Sequence, residues 1–394
     1  MQKQLLLLGT ILLISYSIPA QKLNVQKIIS EAAAQTKLLL NNVTEEHQNN
    51  PRLVSPRTVE KGKLKLVSSK DWTSGFFAGE LWMLYKFSND TSWKNKAETF
   101  TQLLAQEQFN ADSHDVGFKM YNSYGRAYAV TKNELYKKVI IQSAKTLATR
   151  FDSTVGCIRS WDFNKDRWTY PVIIDNMMNL ELLFAATRLS GDSSFYRIAV
   201  SHANATMKNH FRDDYSSYHV VDYDTADGHV RSRVTHQGYA NESAWARGQA
   251  WGLYGFTMCY RETKEKRYLL QAEHIFAFIS KHPNLPDDGI PYWDFNAPGI
   301  PKAPKDASAA AVMASALYEM ARYSKNAKQY QLAADQIITQ LTLHYRSQPG
   351  QNFGFILEHS TGHLPGNSEI DVPINYADYY FIEALLRRQS LFLF

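Results

Sequence analysis

Cysteine is nearly absent: the 394-residue chain has two, Cys157 and Cys259, far apart in sequence. That excludes a disulfide framework and, on its own, a cysteine metal site, so two buried free thiols are expected. Several catalytic signatures are also missing, namely HExxH, CxxC, GxSxG and a phosphate-binding glycine loop. Metal, acyl-transfer and nucleotide chemistry therefore lack support. The segment "TGHLPGN" has too few acids for calcium, and no cofactor is expected. Dense Lys/Arg runs do not occur either. The formal charge of +5 and pI of about 8.9 mildly favour an anionic partner, but not nucleic acid. Beyond the first residues no apolar run is long enough to span a membrane.

Those first residues, "MQKQLLLLGTILLISYSIPAQ", have a short charged start, an apolar run and a small-residue end at Ala20. This describes a secretory signal peptide over residues 1–20. No Cys follows it, so a lipid anchor is not indicated, and an exported, periplasmic protein is expected. What the chain does have is aromatic residues, 13% of the total, with 8 Trp and 23 Tyr. Such a surplus suits a packed core, and equally suits clefts where rings stack on sugars.

Two classes of segment alternate along residues 21–394. One is amphipathic and charged: "VQKIISEAAAQTKLLLNN", "SWKNKAETFTQLLAQEQFN", "ELYKKVIIQSAKTLATRF" and three later counterparts. These read as helices with one wet face. The other class is rich in Gly, Ala and aromatics: "DWTSGFFAGELWMLYKF", "HDVGFKMYNSYGRAYAVT", "IDNMMNLELLFAATRLSG", "RGQAWGLYGFTMCYRET", "DASAAAVMASALYEMARYS" and "NYADYYFIEALLRR". A helix apolar nearly all round is a buried helix. Six of each kind predict an all-α fold, an (α/α)6 barrel with the buried helices as the inner ring. No composition break divides it, so one catalytic domain over 21–394 is expected. "SYHVVDYD" and "HVRSRV" predict a short hairpin in a long loop.

The buried segments open with polar or aromatic residues: Asp71 and Trp72, His114 and Asp115, Asp175 and Asn176, Arg247 and Gln249, Asp306 and Ser308. Parallel inner helices would gather these at one mouth, the usual form of a ligand site. Asp175 sits inside "YPVIIDNMMNLELLF", an otherwise apolar run, where an ionised carboxylate is costly. Asp175 and Asp115 each stand where an N-cap would also stand, so capping is the alternative reading. As a pair they can have their pKa values pushed apart, leaving one protonated near neutral pH, as a general acid requires. Taken alone, His236 reads as a core histidine. Arg247 opens an apolar helix and needs a partner, either a substrate carboxylate or Glu242. Trp72, Trp161, Trp168 and Trp251 are stacking candidates or plain core.

Six ordered motifs, "DWTSGFFAGELW", "HDVGF", "YPVIIDNMMNLELL", "THQGYANESAWARGQAWGLYGF", "PKDASAAAVMASAL" and "NYADYYFIEALLR", resemble those of the unsaturated glucuronyl hydrolases, glycoside hydrolase family 88, from about Asp71 to Arg388. The resemblance implies the same (α/α)6 barrel, no metal or cofactor, and removal of a 4,5-unsaturated glucuronic acid from lyase-generated oligosaccharides by hydration of the vinyl ether. It implies Asp175 as general acid and base, Asp115 as the assisting carboxylate, and His219, Gln237, Arg247, Trp251, Trp161 and Trp72 as substrate contacts. Family members that prefer sulfated uronides carry Ser and Lys before the last inner helix. Here "GHLPGNSEIDVP" has no Lys, so the resemblance does not extend to sulfate preference. The expected partner is an unsaturated glycosaminoglycan fragment, with the protein a monomer or weak homo-oligomer. Rival readings are an unsaturated rhamnogalacturonyl hydrolase acting on pectin fragments, an inverting glycosidase on the same barrel and a non-catalytic sugar-binding protein.

Overall fold

A computed structural model describes residues 23–391; the expected signal peptide at 1–20 lies outside them. The described chain is helical in the predicted rhythm. In order come α1 (Val25–Asn49), α2 (Ser74–Ser88), α3 (Thr91–Gln102), a π-helix (Gly117–Gly125) continued by α4 (Arg126–Thr131), α5 (Glu134–Ala148) and α6 (Leu180–Ser190). Then follow α7 (Ser193–Asn209), α8 (Ala246–Thr263), α9 (Lys266–Lys281), α10 (Ala307–Met320), α11 (Ala327–His344) and α12 (Asn375–Leu391). Even-numbered helices form the inner ring and odd-numbered ones the outer. The ring closes where α12 packs against α2. Burial follows composition: every residue of α10 is buried, whereas α1 buries only one face. The architecture is the (α/α)6 barrel.

A repeated turn sets the direction of the ring. After α2, α4, α6 and α8 the next residue, Asn89, Lys132, Gly191 or Lys264, is left-handed, with φ of 56°, 56°, 78° and 61°. Its amide donates to the carbonyl four residues back, which ends the helix. The amide of the following residue, Asp90, Asn133, Asp192 or Glu265, donates to a Ser or Thr hydroxyl two residues earlier. Asp90, Asn133 and Asp192 then cap the outer helix by accepting from its backbone. These four inner helices therefore reverse into their outer partners within two residues, and α10 reaches α11 in six. All inner helices run the same way, and every long connection is left at their N-terminal end.

Those long connections carry the strands. β1 (Ser55–Glu60) and β2 (Lys63–Val67) form a hairpin closed by Lys61 and Gly62, both at positive φ. β3 (Phe151–Asp152) pairs with β4 (Cys157–Ile158). β5 (Pro171–Ile173), β6 (Val220–Tyr223) and β7 (Val230–Val234) make a three-stranded antiparallel sheet. The predicted hairpin is β6–β7; the partner strand β5 precedes Asp175 and delivers it to the mouth. Inside the ring, α2 meets the π-helix at two glycines. A Cβ on Gly75 would lie 2.2 Å from the Lys119 carbonyl oxygen, and one on Gly79 would lie 2.1 Å from that of Asn122. Cys157 and Cys259 are free and buried.

Candidate active site

The N-terminal ends of the inner helices converge on Asp175. It sits in a 3-10 turn, Ile174–Asn179, wedged against the start of the π-helix: Asn179 Oδ1 accepts from the Phe118 amide at 2.9 Å. Neither Asp175 nor Asp115 makes a side-chain capping bond, so the capping reading fails for both. Asp175 is 8% exposed, and its Oδ2 has no hydrogen-bond partner in the protein. Burial raises its pKa to about 7. Arg247 opposes that rise and Asp115 adds to it. A carboxyl raised this far can hold a proton near neutral pH, which is what a general acid needs.

His219 faces Asp175, with Nε2 3.6 Å from Oδ2. Its Nδ1 accepts two backbone N–H bonds, from His236 and Gln237, both at 3.0 Å. Those bonds use the Nδ1 lone pair, so the proton resides on Nε2 and points toward the acid. Protonating Nδ1 would break both bonds. Burial acts in the same direction, driving the His219 pKa well below its ordinary value. A neutral ring leaves Asp175 its raised pKa; an imidazolium would pull it down. The Trp251 Nε1 donor is also buried without a partner, and it lies near enough to Asp175 to favour the carboxylate. Buried polar atoms are normally satisfied. Here an acceptor and two donors converge without protein partners.

Asp115 stays partly exposed. It is oriented by the Ser113 hydroxyl, which donates to Oδ2 at 2.9 Å, and by His114, whose Nε2 lies 3.2 Å from Oδ1. Burial holds His114 below its ordinary pKa, against the pull of Asp115. The neutral ring therefore serves as a donor. Arg247 is buried at the start of α8. Its Nη1 donates to Asp306 at 2.5 Å and to the Thr361 carbonyl at 2.7 Å, and Nη2 donates to the Gly362 carbonyl. The alternative of a Glu242 partner fails: Glu242 pairs with Arg212. Asp306 holds the guanidinium and also caps α10. These bonds use three of the five N–H donors of Arg247. Gln237 Nε2 donates to the same Gly362 carbonyl at 3.2 Å.

Comparison with known proteins now bears on this geometry. A protein of Formosa agariphila named unsaturated glucuronyl hydrolase is 53% identical over 349 residues, 88% of this chain and 86% of that protein. The chain belongs to the unsaturated glucuronyl hydrolase family, glycoside hydrolase family 88. Its members are glycosidases. A crystal structure of an unsaturated glucuronyl hydrolase described as specific for heparin superposes with a TM-score of 0.87 at 47% identity, over 93% of this chain and 98% of that one. The unsaturated chondroitin disaccharide hydrolase of Streptococcus agalactiae is 29% identical over 374 residues, 93% of this chain and 92% of its own length. No family model matches the chain.

In this family member the aromatic candidates divide. Trp251 is fully buried between Phe118 and Tyr380, so it offers an N–H rather than a face. Trp72 is half-buried at the rim, against Phe118 and Tyr376. Trp161 is buried, with one face covered by Phe163, the rings 4.9 Å apart and 15° from parallel. Phe163 is 48% exposed and presents the open face there. Sequence reasoning missed it, along with His363; it placed His114 and Asp306 at the mouth without assigning their partners. His236 is half-buried and no core residue: it touches the rings of Trp161, His219 and His363. His residues in "HDVGF", "THQGY" and "TGHLPG" were the available signal, legible only once the loops were known to meet. Among the described residues no group of three or more His, Cys, Asp or Glu is placed to hold a metal ion. No described helix is long and apolar enough to cross a membrane.

Proposed function

We propose that this enzyme removes 4,5-unsaturated glucuronic acid from the non-reducing end of glycosaminoglycan oligosaccharides left by polysaccharide lyases. The observation that carries the reading is Asp175: buried, raised to a pKa of about 7, and without a protein partner at Oδ2. Protonated Asp175 donates to C4 of the C4=C5 vinyl ether, and positive charge develops at C5 and the ring oxygen. Water adds at C5 and returns its proton to the Asp175 carboxylate, so the same group acts as acid and then base. The C5 hemiketal opens, and the hemiacetal left at C1 releases the second sugar. Asp115, held by Ser113 and His114, supports the approach of water and helps keep Asp175 protonated. His219 supplies a fixed neutral donor, Gln237 and Arg247 supply further donors, and Trp251 supplies the indole N–H. Phe163, Trp161 and Trp72 border the sugar path.

The relatives described as heparin-specific and chondroitin-directed support a glycosaminoglycan substrate. Residues 21–394 act as one catalytic domain, and the sequence of residues 1–20 supports export to the periplasm. The test is ultraviolet absorbance on unsaturated disaccharides from chondroitin, hyaluronan, heparin and pectin, because hydration abolishes the conjugated chromophore. Loss with a glycosaminoglycan disaccharide, absent in Asp175→Asn, is the expected result. Loss only with the pectin fragment moves the enzyme to rhamnogalacturonan chemistry, and no loss with any substrate sinks the proposed reaction.

A further inference from the structure

Two arginines near the mouth differ in how they are neutralised. Arg57 is held between Asp71 at 2.7 Å and a bidentate Glu369, one cation between two carboxylates. Glu369 also packs against Gly362, where an added Cβ would lie 2.4 Å from its Oε2. Arg57 is thus fully neutralised, close to the Gly362 carbonyl that Arg247 and Gln237 share. The loop between β4 and β5 brings up a second arginine, Arg167, which is exposed. Its guanidinium lies 4.4 Å over the Trp168 ring and makes a long, 3.5 Å bond to the Thr235 carbonyl. Among the described residues no carboxylate reaches Arg167 within ion-pair distance: Asp162 is taken by Arg150 and Arg159, and Asp222 by Arg231. Arg167 is nonetheless close enough to His236 to act on its charge, and His236 lies 6.0 Å from Phe163 and 6.3 Å from His219. From the acid outward the order is Asp175, His219, His236, then Phe163 with Arg167.

We infer that Arg167 recognises an oxyanion, a sulfate ester or sulfamate, on the sugar that follows the unsaturated uronide, while Phe163 stacks beneath that sugar. This rests on the proposed reaction. An exposed aromatic face beside an unneutralised guanidinium matches a sulfated pyranose: the ring takes the apolar sugar face, and the planar N–H donors take two sulfate oxygens. The cation–π seat on Trp168 pre-orients the guanidinium, so less side-chain freedom is lost on binding.

The experiment compares sulfated and unsulfated forms of one unsaturated disaccharide by their loss of ultraviolet absorbance. In Arg167→Met the ratio of kcat/KM for the sulfated over the unsulfated form should fall about tenfold, the effect of one solvent-facing charge-assisted pair. Arg167→Lys should recover part of it. Phe163→Leu should lower kcat/KM for both forms and leave the ratio intact, which separates platform from charge. Raising ionic strength until the Debye length shrinks from about 10 Å to about 3 Å should erode the ratio in the wild type and not in Arg167→Met. An unchanged ratio in Arg167→Met, with wild-type enzyme active on both forms, overturns the inference alone. Wild-type enzyme inactive on every disaccharide overturns the proposed reaction and this inference together.

Discussion

The two ends of the barrel lumen bury charge in opposite ways. At the far end, Arg126, Arg261 and Arg387 interlock with Glu181, Glu319 and Glu383. The Tyr254 and Ser315 hydroxyls complete the Glu383 carboxylate. Burial would raise Glu319 and Glu383, but Arg261 and Arg387 outweigh it at Glu319, and Arg387 and Arg126 at Glu383, so both are held below the ordinary glutamate pKa. At the mouth, Asp175 has one cation acting on it, and that cation is already bonded to Asp306. Burial wins there and the pKa rises. Phe76, Phe118, Trp251, Tyr379 and Tyr380 lie between the two ends as a continuous aromatic layer. A carboxylate that meets its cations inside the fold is structural; one left short of partners is available for chemistry.

Exchanging acid for amide at each end tests that difference most strongly. Asp175→Asn should lower kcat by about 10²- to 10⁴-fold, the usual share of a general acid, while the thermal midpoint stays level or rises, because a buried titratable group is replaced by a neutral one. Glu383→Gln should do the reverse. It leaves Arg126 and Arg387 short of a counter-charge and should cost about 3–5 kcal/mol in denaturant unfolding, with kcat per folded molecule near wild type. If Glu383→Gln abolished activity in folded protein, the division of roles would be wrong.

Proton linkage sharpens the same contrast. Asp175 rises from its ordinary 3.8 to about 7 on folding. Its contribution to stability is therefore complete below pH 3.8 and is lost as pH climbs through about 7. Removing it in Asp175→Asn should flatten the fall of unfolding free energy across that interval. In the wild type, kcat/KM should decline above pH 7 with an apparent pKa near that value; a rate independent of pH between 6 and 9 would exclude Asp175 as the proton donor. The smallest effect belongs to a far-end turn. Gly191 has φ +78° and open space around a Cβ, so Gly191→Ala should cost only the left-handed backbone term, about 1 kcal/mol, and leave kcat alone.

The ring was legible because its signal is periodic. Segments such as "DASAAAVMASALYEM" cannot face water on any side, and six of them alternating with wet helices admit few closed arrangements. Asp175 was legible for a related reason: an acid inside "YPVIIDNMMNLELLF" conflicts with its surroundings. Partnerships across the mouth were not. Arg247 lies beside Glu242 in sequence yet bonds to Asp306, because α8 and α10 are neighbours in the ring and the Glu242 side chain is turned outward to Arg212. Trp161 looked like a platform until Phe163, two residues on, folded across it. The β1–β2 hairpin escaped notice because "SPRTVE" shows little apolar alternation, although its partner "KLKLV" does alternate across the Lys-Gly turn.

The two-residue turns at the far end have a consequence for how such a protein diverges. They allow no insertion without moving a helix out of the ring. The mouth connections start and finish on helices already held in place, and lengthening a loop whose ends are fixed adds only a slowly growing entropy term. New specificity can thus accumulate in the segments 50–73, 103–116, 149–173, 210–245, 282–306 and 345–374 while the twelve helices stay as they are. Grafting these six segments between relatives is the natural unit of redesign.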